Sequence, residues 1–152
     1  MGLMKVTGAQ KQYAVTQVNT ADRLQLVVML YEGAISFLRQ AKEKMALQDA
    51  SGKGLYLSKA LDVIAELNAS LNFQEGGEVA ANLFHLYNFM TAHLTRANLH
   101  WDQKAVDEVL AMLLQLKEAW EEVSRKARQG ELGEGLEKPE TQPRQNLGSL
   151  VV

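Results

Sequence analysis

Between Asp22 and Ala127 the chain returns an apolar side chain every three or four residues, with polar and charged residues between them. That is the period of helices buried along one side. The run divides into four. Asp22 and Gln25 stand at capping-box spacing, and Leu24, Val27, Val28, Tyr31, Ile35, Leu38 and Met45 then share a face. The turn-rich "LQDASGKG" (47–54) predicts the end of that helix. A second helix is predicted over 54–71 with Leu57, Ala60, Leu61, Ile64, Leu67 and Leu71. After the turn "NFQEGG", a third over 76–99 carries Val79, Leu83, Leu86, Tyr87, Met90, Leu94 and Ala97. Asp102 can cap a fourth, with Trp101 and Val106 at staple positions, and Val109, Met112, Leu116, Trp120, Val123 and Ala127 continue its face. Lys117, Arg125, Lys126 and Arg128 fall in its later turns, where cations complement the helix dipole.

Short connections force neighbouring helices to run in opposite directions. The predicted fold is therefore all-α, an antiparallel four-helix bundle over 22–129. A polar N-terminal segment, 1–21, precedes it as a capping segment. A tail, 130–152, follows, where "GELGEGLEKPETQPRQ" loses all periodicity and reads as flexible. Both prolines, Pro139 and Pro143, lie in that tail.

Composition narrows the function classes. At 152 residues, 47% hydrophobic and 22% charged, the chain is an ordinary globular domain. A formal net charge of −2 argues against nucleic acid as partner, since phosphate binding needs concentrated Lys and Arg. No apolar run reaches membrane-spanning length, and "MGLMKVTGAQ" lacks the apolar core of a signal peptide, so a cytoplasmic location is expected. Without cysteine there is no thiolate metal site or cysteine nucleophile. A di-metal bundle site needs Glu-x-x-His, which is missing here. His85, His93 and His100 form no i, i+4 pair, and Gly76–Gly77 lacks the Lys-Ser/Thr of a phosphate loop. No metal, cofactor or catalytic residue is expected, and the chain does not read as an enzyme.

What is left is apolar surface. Leu26, Leu30 and Phe37 widen the arc of the first helix beyond the ~100° of a single buried stripe. Phe84 and Phe89 do so on the third, and Leu110 and Leu114 on the fourth. Bundle helices touch two neighbours and need broad faces, but such faces also make grooves for amphipathic partner helices. Periodicity does not decide between the two.

"GGEVAANLFHLYNFM" (76–90), continued by "TAHLTRAN" to Asn98, resembles the most recognisable segment of the flagellin export chaperones, the FliS family. Tyr13, "VNTA" (18–21), "LVVMLYEGAISFL" (26–38), "KALDVIAELNASLNFQEGG" (59–77) and "LLQLKEAWEEV" (113–123) are similar to other parts of the family in order and spacing. The chain departs from it at Asp22-Arg23, where Ser-Pro is usual, and at Asn72, where Asp is frequent. The resemblance implies a cytoplasmic four-helix chaperone that binds the disordered C-terminal segment of flagellin 1:1. Such a chaperone blocks premature polymerisation and delivers its client to the flagellar type III export gate. It would insert in no membrane and self-associate weakly without client. On the family's pattern the client-binding residues would be Leu57, Leu61, Ile64 and Asn68, then Asn82, Phe89 and His93, then Leu110 and Leu114. Tyr13 and Val18 would form an N-terminal lid or touch the export gate. A chaperone or regulatory adaptor for another flagellar or secreted subunit is the alternative. Outside the resemblance, the apolar "NLGSLVV" (146–152) is either idle or folds back into an empty groove.

Overall fold

The computed structural model of the chain describes residues 20–132, and within them four helices follow one another: α1 Thr20–Ala46, α2 Ala50–Ala69, α3 Phe73–His100 and α4 Gln103–Leu132. Contacts between ends set their directions. Lys42, late in α1, meets Asp107, early in α4, at 2.5 Å, and Arg128, late in α4, meets Asp22 at 3.8 Å. Lys53, early in α2, reaches the carbonyl of Asn98, late in α3, at 2.6 Å. Each helix therefore runs antiparallel to the next, as the short connections require.

The helix ends differ from the sequence reading in instructive ways. α1 begins at Thr20, so Asp22 is a first-turn acid complementing the dipole and not the cap. Ala21, expected in the N-terminal segment, is fully buried in the bundle. α2 begins four residues earlier than predicted because Asp49 caps it, accepting from Gly52 N at 2.9 Å. Gly52 is there for space: a Cβ would lie 2.6 Å from Asp49 Oδ2 and 2.7 Å from Lys44 Cδ. The predicted turn "NFQEGG" is a single helical turn capped by Asn72, broken at Gly77. Its φ of 51° and ψ of −124° are open to glycine and strained for any other residue. Asp102 caps α4 as predicted, accepting from Ala105 N at 3.1 Å. α4 runs on to Leu132, past the predicted end at Gln129.

All four helices contribute to one core. At its centre Trp120 Nε1 donates to Tyr31 Oη at 3.2 Å, and the Tyr31 and Tyr87 hydroxyls share a hydrogen bond. This satisfies three buried polar groups from α1, α3 and α4 in one network. Burial raises the pKa of both tyrosines above the ordinary value, although the bonds from Tyr87 and Trp120 partly offset the rise at Tyr31. α4 is turned relative to its predicted face. Val106, Val109, Leu110, Leu113 and Trp120 are buried, while Met112, Leu116, Val123 and Ala127 pack at the edge. Val79, expected in the core, is 41% exposed and Ala80 is buried instead, because Ala80 falls on the buried stripe of Leu83, Tyr87, Met90, Leu94 and Ala97 and Val79 on its flank.

The packing is uneven. α1 lies against α2 and α4 over longer contacts than α3 makes with the same two helices.

Candidate functional site

Two shallow seams flank α3, and each is bridged by polar side chains. On the α2 side Asn68 Nδ2 donates to Asn88 Oδ1 at 3.1 Å. Asn68 Oδ1 is buried with no hydrogen-bond partner, a state that costs about 1–3 kcal/mol. Leu61 stands two turns before Asn68 on the same face of α2, half-buried. On α3 the exposed Phe84, one turn before Asn88, meets Phe73 edge to face at 5.6 Å between ring centroids. The Gly77 bend is what lets the first turn of α3 hold Phe73 there.

On the α4 side Asn82, Leu86, Phe89 and His93 recur at helical spacing along one stripe of α3. The Phe89 and His93 rings stack at 4.8 Å, and Phe89 remains 48% exposed. His93 Nε2 lies 2.7 Å from Glu108 Oε1 on α4, and Arg96 Nη2 lies 2.8 Å from His93 Nδ1. A guanidinium only donates. Nδ1 is thus the acceptor, and Nε2 carries the proton given to Glu108. The half-buried Met112 and Leu116, one and two turns beyond Glu108, continue this seam.

The nine residues singled out from the sequence therefore do not form one site. Leu61 and Asn68 belong to the α2–α3 seam, and Asn82, Phe89 and His93 to the α3–α4 seam. Leu114 lies elsewhere, in a polar groove between α1 and α4 with Glu32, Ser36, Arg39 and Lys117. Leu57, Ile64 and Leu110 have little or no exposed surface. They are core side chains in this structure and offer nothing for a partner to touch. Tyr13 and Val18, like the 133–152 part of the tail, lie outside the described residues. Sequence reasoning missed Asn88, Leu86, Glu108, Met112 and Leu116 as parts of the seams. Asn88 carried a signal, a polar residue in an apolar run, but only the structure pairs it with Asn68.

Residues 6–127 match the family described as "Flagellar protein FliS". The chain belongs to the FliS family. It is 41% identical over 111 residues to the flagellar secretion chaperone FliS of Salmonella typhimurium, covering 72% of this chain and 82% of that one. It is 37% identical over 120 residues to the flagellar secretion chaperone FliSB of Pseudomonas aeruginosa, covering 76% and 95%. With FliS of Escherichia coli the identity is 39% over 120 residues, covering 78% and 88%. The matched residues hold both seams of this FliS-family bundle. Among the described residues no helix is long and apolar enough to cross a membrane, and no cluster of His, Cys, Asp or Glu could hold a metal.

Proposed function

We propose that this FliS-family protein is a cytoplasmic export chaperone for flagellin, holding the disordered C-terminal segment of one client in the seams beside α3. It keeps that segment from polymerising and presents the subunit to the flagellar type III export gate. The observation that carries the reading is the pair of short helix contacts on either side of α3, edged by the exposed Phe84 and Phe89 rings and crossed by the Asn68–Asn88 and His93–Glu108 bridges. An amphipathic client helix laid in such a seam buries apolar surface on both partners, at about 25 cal/mol per Å², offset by the cost of ordering a disordered segment.

Within this reading Leu61, Phe84, Phe89 and Leu86 take the client's apolar side chains. Asn82 and the unpartnered Asn68 Oδ1 take its N–H groups. His93 and Glu108 form a polar edge that a client opens or skirts. Leu57, Ile64 and Leu110 act one layer below, by supporting the seam floors. Tyr13 and Val18 are assigned to the lid or to the gate contact.

Titration calorimetry with the host's flagellin, full length and lacking its C-terminal segment, tests the proposal. The expected result is tight 1:1 binding that is lost with the truncation and weakened at least tenfold by Leu61→Asp. Absence of binding to full-length flagellin would overturn the flagellin assignment. Binding that survives the truncation would overturn the C-terminal segment as the element recognised.

A further inference from the structure

Apart from Leu99 at the end of α3, the most exposed large apolar side chains in the described helices are on α1. Leu26 is 57% and Met29 54% exposed, with the half-buried Leu30 beside them. One turn further, Gly33 leaves a notch, with nothing within 4 Å of where a Cβ would stand. We infer that residues 147–152, "LGSLVV", dock on this patch of the same chain and cover it.

Where α4 ends supports this occupant. The Arg128–Asp22 pair brings the last turns of α4 beside the first turn of α1. At 1.5 Å per residue, Met29 then lies about 16 Å back along the bundle from Leu132. Residues 133–146 join that point to the docking segment, and a coil of such length has an r.m.s. span of about 20 Å. Effective concentration is greatest when leash and span match in this way. Charge favours the same path. Glu134, Glu137 and Glu140 outnumber Lys138 and Arg144 in the leash. Turning back carries them past Arg125, Lys126 and Arg128 of α4, three exposed cations that share two acids, Glu122 and Asp22, among the described residues. The segment that docks has no charged side chain, and Leu147, Leu150, Val151 and Val152 give it four apolar ones. The other end of the chain, residues 1–19, carries Lys5 and Lys11 and no acid, so it lacks this attraction.

The absence of cysteine makes the test direct, because Ser149→Cys gives a single site for a nitroxide label in the full chain. Methyl NMR of the methionines then reads distance to the label. Docking predicts at least a threefold loss of Met29 intensity, with Met45, about 24 Å further along α1, unaffected. Adding Leu150→Asp and Val151→Asp to the labelled chain should restore Met29. The proposal is overturned if Met29 stays as sharp as Met45, or if the loss persists in the doubly substituted chain. It is equally overturned if the loss arises only when label and isotope are on different chains, which would make a second copy the occupant.

Discussion

α1 and α3 are both long, both central to the bundle and both apolar over a wide arc, yet they are used differently. α1 buries ten side chains, among them Leu24, Tyr31, Ile35 and Leu38, and its seam with α2 is closed by apolar packing, including Phe37 stacked on Tyr56 at 6.4 Å. α3 buries six, among them Tyr87, Met90 and Leu94, and its contacts with its neighbours also carry the polar bridges Asn68–Asn88, His93–Glu108 and Lys53–Asn98. Apolar packing closes a seam permanently. On the proposed reading, the exposed Asn68–Asn88 and His93–Glu108 bonds, each contributing about 1 kcal/mol net, hold a seam that a partner can open. The wide apolar arcs that the sequence shows on both helices thus have two meanings, and neighbours decide which applies.

The sharpest break of this contrast compares two residues three apart on α2. Ile64→Ala opens a cavity in the core and should cost about 2–5 kcal/mol in urea denaturation. Leu61→Ala, at the seam, should cost under ~1.5 kcal/mol yet weaken client binding several-fold. Equal stability losses would place Leu61 in the core.

The next effect is alkaline. Both states hold the tyrosine protons below pH ~10. Above it an unfolded tyrosine ionises while burial holds Tyr31 and Tyr87 protonated, so stability falls as pH rises past that value. Denaturation midpoints from pH 9 to 11 should stay level at first and fall above pH ~10, and Tyr87→Phe should reduce the fall. A flat profile would mean that water reaches the centre of the bundle.

Lys53→Met should cost about 2 kcal/mol. The Lys53 ammonium donates to the Asn98 carbonyl at the end of α3 and lies 3.9 Å from the Trp101 ring centroid, and both are lost with it. Hydrogen exchange should then quicken over the last turn of α3 and leave α1 unchanged. Gly77→Ala should cost about 1–3 kcal/mol from backbone strain alone, read as a lower thermal midpoint, and should loosen Phe73 from Phe84. Smallest of all, His93→Ala should change stability by less than ~1 kcal/mol, because its ring bridges exposed partners.

Fold class, helix number, the Asp102 cap and most of the core were legible in the sequence, because period and capping chemistry are local. Helix phase was less so. Val79 and Ala80 both lie within one turn of Leu83, so spacing alone does not say which is buried, and the strain at Gly77 depends on a φ that no pattern reveals. Of the candidate site, Asn82, Phe89 and His93 were named from the family's pattern, and the structure sets them along one stripe of α3. Leu57 and Ile64 were not separable from Leu61, since all three lie within one apolar arc and only the position of α3 distinguishes floor from rim. Asn68 could be suspected as polar among apolar neighbours, but its unpartnered Oδ1 exists only in three dimensions.

Hydrogen exchange of the protein with and without a saturating peptide of the flagellin C-terminal segment tests the central claim most directly. The account predicts new protection over 61–68 of α2 and 79–96 of α3, with the body of α1 unchanged. Protection confined to α1, or none on either side of α3, would contradict it.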